Sequence, residues 1–277
     1  MRRSFLPLIS LFCLLCLTSN HALSQEHALR LGILPYLNVH KLYRVYLPVK
    51  RELEQALARP VILASAPNYS SFLERTASGE FDLVVTAPHF ALLAEQESEF
   101  RRVARARPQL QGALIVRKDS GIQTVRELEG RTVAMPDKLA IITLLGEALL
   151  NVSGLDTEED LQIKHTPGIN RSILLVNRGQ ADAAISVAGS LNSMPVHVQD
   201  SLRVLSLTAS TPHLMFMASP SLNNQDYMQI KTSLMRFSKT SSGDRFFRDS
   251  RLLGLEEISD ADMAGMQGFV ELLQLRR

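Results

Sequence analysis

Cysteine is almost absent from this sequence, and tryptophan does not occur in it. The two cysteines, Cys13 and Cys16, both lie in an apolar N-terminal segment. If that segment is removed on export, the remaining chain has no thiol. This excludes a disulfide scaffold and cysteine-based catalysis, so the chemistry of the chain must rest on other side chains.

Catalytic and cofactor-binding motifs are absent as well. The sequence contains no G-x-S-x-G, no P-loop and no G-x-G-x-x-G, and its seven histidines form no H-E-x-x-H pair. Nothing assembles a nucleophile, a base and an oxyanion hole. We therefore expect no enzyme activity, no catalytic residues, no metal site and no cofactor.

The first 24 residues have the pattern of a secretory signal peptide. Arg2 and Arg3 precede an apolar stretch over residues 5–17, which is shorter than the roughly 20 residues of a membrane span. Residues 22–24 fit a cleavage site after Ser24, with a short membrane anchor as the alternative. Cleavage lowers the 30 basic residues to 28, against 28 acidic ones. A neutral, secreted chain without a basic stripe argues against nucleic acid as a partner.

Strand-like apolar runs alternate with helix-periodic segments twice along the chain. This alternation predicts two α/β units with parallel strands. In the first unit we expect strands at 29–34, 60–64 and 81–86, and helices at 43–58, 69–78 and from Pro88 onward. In the second we expect strands at 132–135, 161–165 and 181–186, and helices at 139–152 and 169–178. Two β-rich stretches, 111–117 and 213–218, would connect the units, and the tail from 221 to 275 is predicted to be helical.

Four arginines between residues 101 and 107 form a local basic cluster. A charged edge strand facing solvent is the simpler interpretation, and a patch for an anionic partner is the alternative.

The two units share a short pattern of residues. GEFDLVVT begins at Gly79 and GQADAAIS begins at Gly179, so each has a glycine, then an aspartate, then an apolar strand that ends in a hydroxyl residue. Thr86 and Ser186 fall at the carboxyl ends of these strands. Ligands of open parallel sheets bind outside such ends, which makes both residues candidates for ligand contact.

Residues 133–150, VAMPDKLAIITLLGEALL, read as a strand, a turn and a helix. Free backbone N–H groups at a helix start after a strand suit an anion. The first turn nevertheless carries Ala140, Ile141 and Ile142, where hydroxyl side chains usually assist. The stretch is therefore either a site position that has lost its anion or part of the core.

Five stretches in this order carry a family resemblance: LRLGILPY, YLPVKRELEQALARPVIL, NYSSFLERTASGEFDLVVTAP, ALIVRKDSGIQTVRELEGRTVAMPD and VNRGQADAAIS. They resemble the type 2 periplasmic solute-binding proteins, in particular the phosphate, phosphite and phosphonate group of ABC-transporter substrate-binding proteins. The resemblance implies an α/β two-lobe clamp, with a mostly parallel sheet flanked by helices in each lobe and two crossing hinge strands. The expected divisions are a signal peptide at 1–24, lobe one at 25–112 plus 213–277, and lobe two at 113–212.

The chain departs from this family where the anion would bind. The family's run of Ser and Thr falls on Ala140, Ile141 and Ile142, and its Gly-Pro-x-x-Tyr motif ends on Ala91 instead of Tyr. Its His-Asp pair falls on residues 169 and 170, and a later Asp falls on Ser186. Since each lost polar contact weakens an anion site, we expect no phosphonate binding in the family's manner.

The candidate ligand-binding residues follow the predicted strand ends and helix starts. They combine aromatic faces, hydroxyls, an amide and cations, which suits a small organic molecule with a modest polar head. The set is Tyr36, Asn38, Tyr69, Thr86, His89, Phe90, Lys138, Ala140, Ile141, Asn170, Arg171 and Ser186.

Three functions fit these observations. The first is a monomeric receptor that captures a small molecule between its lobes and delivers it to an ABC permease. The second is a periplasmic sensor clamp whose partner is a membrane histidine kinase. The third is a divergent enzyme on the same clamp, for which His89 is the obvious acid or base in the cleft.

Overall fold

The computed structural model describes residues 28–276. The predicted signal peptide at 1–24 and its cleavage after Ser24 lie outside the described residues. Within residues 28–276, no helix combines the length and the apolar character needed to cross a membrane.

The strands of the described chain form two sheets. They are β1 Leu29–Ile33, β2 Val61–Ala64, β3 Leu83–Thr86, β4 Arg101–Arg107, β5 Leu110–Arg117, β6 Thr132–Met135, β7 Gln162–His165, β8 Ala183–Val187, β9 Leu202–Thr211, β10 Met215–Ala218 and β11 Gly254–Glu256. The first sheet has the order β11-β4-β10-β3-β1-β2, and the second has the order β7-β6-β8-β5-β9.

Helices cover these sheets. They are α1 Val39–Leu57, α2 Tyr69–Ala77, α3 Pro88–Ser98, α4 Ile141–Val152, α5 Ile169–Asn177, α6 Val196–Ser201, α7 Asn224–Phe237, α8 Ser241–Ser250, α9 Asp260–Ala264 and α10 Gln267–Arg276. We call the first sheet with α1–α3 and α7–α10 the first lobe, and the second sheet with α4–α6 the second lobe. The protein is thus an α/β protein of two lobes.

Each sheet is built around three parallel strands. β1 lies between β2 and β3 and is parallel to both, and β6 lies between β7 and β8 in the same way. The antiparallel strands include those that the chain forms on either side of its passages between lobes: β4 and β10 in the first sheet, β5 and β9 in the second. Parallel and antiparallel pairing are mixed because β5 and β10, the first strands after each crossing, run opposite to β8 and β3, their neighbours in the sheet that they enter.

The shared pattern at residues 79 and 179 has the same structural role in both lobes. The carboxylate of Asp82 accepts the N–H of Arg30 at 2.7 Å, and that of Asp182 accepts the N–H of Thr132 at 2.9 Å. Gly79 and Gly179, which precede them, have φ values of 73° and 67°. Glycine adopts this left-handed region without strain. The aspartates therefore tie each third strand to the first strand of its unit.

The chain crosses between the lobes twice. Residues 107–110 join β4 to β5, and residues 211–215 join β9 to β10. Leu110 already pairs with Thr211 in the second sheet, so the chain leaves the first sheet before Leu110. The predicted stretches 111–117 and 213–218 largely coincide with β5 and β10, the strands that follow the crossings.

Two predictions from the sequence were wrong in detail, and two elements, β9 and α6, were not predicted. The arginine-rich strand β4 is not an edge strand, because it lies between β10 and β11. Its Arg105 forms ion pairs with Glu256 at 2.8 Å and Asp262 at 2.9 Å. The tail is not entirely helical, since it contributes β11, and β9 was not predicted at all. β9 is an edge strand with an irregular burial pattern, so it lacks a clear period-two signal.

α1 begins at Val39, earlier than the predicted start at 43. The reason is local, because the side chain of Asn38 accepts the N–H of Lys41 at 3.0 Å. This bond satisfies one of the unpaired amides of the first turn and starts the helix there.

Helix α4 lies close to the second sheet because it carries a glycine at the contact. Gly146 is buried, and a Cβ atom at this position would lie 2.6 Å from Cγ1 and 2.8 Å from Cγ2 of Ile185 in β8. This close approach fixes the position of the start of α4 relative to the sheet.

We expect Gly146→Ala to destabilise the protein by about 1–3 kcal/mol, because the added methyl forces the helix or Ile185 to move. The measurement is urea unfolding. Gly268→Ala in α10 is the matched control, since nothing lies within 4 Å of a Cβ there. It should leave stability unchanged or raise it by up to about 1 kcal/mol. Equal effects of the two substitutions would contradict this account of the contact.

Candidate functional site

A cavity of about 550 Å³ lies between the two lobes. We call it the cleft cavity. The segments that line it are the ends of β1, β3 and β8, the starts of α2, α4 and α5, both crossings and the end of α8. Its lining residues are Leu34, Tyr36, Tyr69, Ala87, Pro88, Pro108, Gln109, Leu110, Gln111, Ala140, Ile141, Ile142, Ile169, Asn170, Val187, Ala188, Gly189, Ser190, His213, Leu214, Ser250 and Arg251. This volume is that of a site for a small molecule.

The lining of the cleft cavity is mostly apolar or neutral. Among the described residues it has no acidic side chain, and Arg251 is its charged side chain, at a solvent-exposed position. Tyr36 shares a hydrogen bond of 3.0 Å with Tyr46, and burial raises the pKa of Tyr36 to about 12. Burial also raises the pKa of Tyr69 above its ordinary value. Both phenols are therefore neutral at pH 7.

The turn before α4 contributes apolar side chains to the cavity. The helix is preceded by Ala140, which makes no side-chain capping bond. The carboxylate of Asp137 accepts the N–H of Leu139 at 2.8 Å, so it stabilises the turn and does not cap the helix. Ala140, Ile141 and Ile142 all line the cavity and are at most 5% exposed. This position is therefore a cavity wall and part of the core at the same time.

The structure brings seven of the twelve candidate residues to cavities between the lobes. Five line the cleft cavity: Tyr36, Tyr69, Ala140, Ile141 and Asn170. Two others, Asn38 and Arg171, line a neighbouring cavity of about 950 Å³ that shares Tyr36, Ile169 and Asn170 with the first.

The other five candidates line neither of these cavities. Thr86 and Phe90 are buried against the α2–α3 side of the first sheet. Ser186 is fully buried, and its hydroxyl donates to the carbonyl of Ile169 at 3.3 Å. Lys138 is exposed, and its carbonyl accepts a hydrogen bond from Arg276. The fifth, His89, is fully buried. A strand end predicts proximity to a ligand, but the face on which each side chain lies depends on packing.

The family model described as the periplasmic substrate-binding protein of phosphonate ABC transporters matches residues 31–263. The chain belongs to this family. Its members are periplasmic binding proteins that capture substrates for ABC transporters, and at the level of the family they are not enzymes.

Solved structures support the fold. PhnD1 of Prochlorococcus marinus, in complex with methylphosphonate, has a TM-score of 0.81 at 15% identity, over 89% of this chain and 98% of that one. A binding protein component of the phosphonate transporter of Pseudomonas aeruginosa has a TM-score of 0.78 at 14% identity, over 89% and 86%. The aliphatic sulphonate binding protein SsuA of Escherichia coli has a TM-score of 0.63 at 18% identity, over 90% and 92%. The predicted periplasmic-binding-protein clamp is thereby confirmed.

In this binding protein, His89 links the two lobes. It lies in the first turn of α3, and its Nε2 donates to the carbonyl of Leu139, in the turn before α4, at 2.9 Å. The ring packs on Phe90 with centroids 4.2 Å apart, and its Nδ1 is buried without a partner among the described residues. His89 is thus a contact between the lobes and has no access to the cleft cavity.

A second contact between the lobes involves the C-terminal helix. Arg276 in α10 donates to the carboxylate of Glu147 in α4 at 2.6 Å and to the carbonyl of Lys138 at 3.0 Å. α10 itself packs on α3 of the first lobe. These two contacts hold the start of α4 against the first lobe, on the side where His89 lies.

Sequence reasoning missed the polar residues at the crossings. Gln109, Gln111 and His213 line the cleft cavity but follow neither a parallel strand nor a helix start. The signal that could have found them is their position, since a polar residue at a crossing lies between the lobes.

No group of three or more histidine, cysteine or acidic side chains in the part of the chain that the structure describes could hold a metal ion.

We expect His89 to make stability depend on pH. Burial lowers the pKa of His89 to about 4 in the folded protein, although its bond to Leu139 opposes the shift. The unfolded chain has a histidine pKa of about 6.5 and binds more protons between these values, so stability falls as the pH drops from about 6.5 towards 4. For His89 alone, the loss from pH 7 to pH 5 is about 2 kcal/mol.

The test is urea unfolding of His89→Phe at pH 7 and pH 5. The variant lacks the bond to Leu139 and should be less stable at pH 7, yet it should lose about 2 kcal/mol less than the wild type on acidification. His197→Phe, at an exposed position in α6, is the control and should follow the wild type. Parallel pH dependence of wild type and His89→Phe would contradict the assignment.

Proposed function

We propose that this binding protein captures a small, uncharged organic solute with an apolar body in the cleft cavity and delivers it to an ABC permease. The observation that carries this proposal is the wall formed by Ala140, Ile141 and Ile142 at the start of α4. Apolar surface buried against such a wall stabilises a complex by about 25 cal/mol per Å².

An oxyanion is a poor fit to the same cavity. A phosphonate loses its hydration when it enters the cavity. Several charge-assisted hydrogen bonds, each contributing about 1.5–3 kcal/mol, must offset that loss. The first turn of α4 offers backbone N–H groups but no hydroxyl before Thr143, whose side-chain oxygen is buried without a partner in the described chain. Arg251 is exposed to solvent, where its charge is hydrated and screened.

The remaining features of the proposal follow from the clamp. Both lobes line the cleft cavity, so a clamp with lobes divided near residues 112 and 212 can form this site as a monomer. The signal peptide with cleavage after Ser24 accounts for export to the periplasm. The balance of charge in the processed chain disfavours nucleic acid. The burial of His89 away from the cavity supports a binder without catalytic activity.

We expect isothermal titration calorimetry with methylphosphonate, phosphate, phosphite and aminoethylphosphonate to show no binding tighter than millimolar. The loss of three or four charge-assisted bonds weakens affinity by orders of magnitude. Micromolar binding of any of these anions would overturn the proposal.

We further expect a thermal-shift screen of uncharged organic compounds to give ligands whose affinity depends on the apolar wall. Ala140→Leu fills part of the cavity and should weaken such a ligand at least tenfold. Ala261→Leu, at an exposed position in α9, should leave its affinity unchanged. Equal affinity of both variants would show that the ligand binds elsewhere.

A further inference from the structure

Two polar side chains from the crossings line the cleft cavity, and each has one hydrogen-bonding atom already in use. They are Gln111, at the start of β5, and His213, between β9 and β10. Because their partners are backbone groups of known polarity, the free atom of each side chain can be assigned as a donor or an acceptor.

His213 offers a donor to the cavity. The backbone N–H of Leu214 donates to Nδ1 of His213 at 2.8 Å. An N–H can bond only to an unprotonated ring nitrogen, so the proton of the neutral ring is on Nε2. Burial lowers the pKa of His213 to about 4, which keeps the ring neutral at pH 7. Within residues 28–276, Nε2 has no hydrogen-bond partner.

Gln111 offers an acceptor. Its Nε2 donates to the carbonyl of Thr208 at 2.8 Å. A carbonyl cannot donate, so this bond fixes which end of the amide is nitrogen. The oxygen Oε1 makes no hydrogen bond to the described residues and is free to accept one.

The two side chains lie on adjacent parts of the fold. Gln111 in β5 pairs with Ser210 in β9. His213 follows Ser210 by three residues in the chain. A neutral donor and a neutral acceptor thus both belong to the segments that connect the lobes, and both residues line the cleft cavity. The apolar wall at the start of α4 lines the same cavity.

We propose that Gln111 and His213 form a polar subsite for an amide-type group of the ligand, such as a primary amide, a lactam or a ureide. Nε2–H of His213 donates to the ligand carbonyl oxygen, and Oε1 of Gln111 accepts a ligand N–H. This inference rests on the proposed function, because it names the polar group of the solute that the cleft cavity captures.

The subsite discriminates against related head groups. A carboxylate has no N–H for Gln111, and its charge would face the partial negative charge of Oε1. An ester would leave Oε1 without a donor, and an unmade hydrogen bond in a desolvated site lowers affinity. A hydrocarbon would leave both polar atoms without partners.

The experiment compares four probes with one aromatic body: benzamide, methyl benzoate, benzoate and toluene. Binding is measured from protein amide shifts in NMR titrations. We expect benzamide to bind the wild type about five- to tenfold more tightly than each of the other three, which corresponds to one or two neutral hydrogen bonds. His213→Phe and Gln111→Leu should each remove most of this advantage and leave toluene binding within twofold.

His197→Phe is the matched control and should keep the preference for benzamide. A second measurement uses the wild-type protein alone, so it does not depend on whether a variant folds. The ¹⁵N chemical shifts of the His213 ring should show Nε2 protonated and Nδ1 unprotonated from pH 6 to 8. The opposite tautomer would overturn the subsite.

The outcomes separate the two proposals. Equal binding of benzamide and toluene, or tighter binding of benzoate, would overturn the amide subsite. If benzamide and toluene bind equally, the binding of toluene would still support an apolar ligand in the cleft. If no probe binds while methylphosphonate does, the proposed function itself is wrong, and the subsite is wrong with it.

Discussion

The site depends on one constraint of backbone direction. In each lobe, three parallel strands end at the same edge of a sheet, so the chain that leaves them must begin its helices there. Much of the cleft cavity is lined by the segments that leave these strands. They are the residues after β1, the starts of α2, α4 and α5, the residues around the start of α3, and the turn after β8. The fold thus fixes which positions face the ligand, and the side chains at those positions determine what the ligand is.

This separation of position from chemistry explains how the chain can keep the clamp at 14–18% identity to the solved structures. In this chain the aspartates at 82 and 182 tie the strands of each unit, and Gly146 allows the close approach of α4 to its sheet. None of these residues lines the cleft cavity. The apolar residues at 140–142 form a wall of the cavity within the same strand-turn-helix geometry. His89 in turn uses its ring to hold the two lobes together.

Much of the fold could be predicted from the sequence because parallel strands and amphipathic helices have clear periods. The elements that escaped prediction include β9, β11 and α6, which are an irregular edge strand, a strand of three residues and a helix of six. For the site, strand ends and helix starts predicted ligand contact at five residues that line the cavity: Tyr36, Tyr69, Ala140, Ile141 and Asn170. They could not predict that Thr86, His89 and Ser186 are buried in packed regions, nor that Gln111 and His213 line the cavity at the crossings, because both facts depend on tertiary packing.

The central claim is that the cleft holds an uncharged organic molecule and not a phosphorus oxyanion. Native mass spectrometry of the protein released gently from the periplasm tests this most directly, because a captured solute is retained and its elemental composition can be determined. The account predicts a bound neutral molecule that contains no phosphorus and that is lost in Ala140→Leu. A bound phosphonate, phosphite or phosphate ion would contradict it.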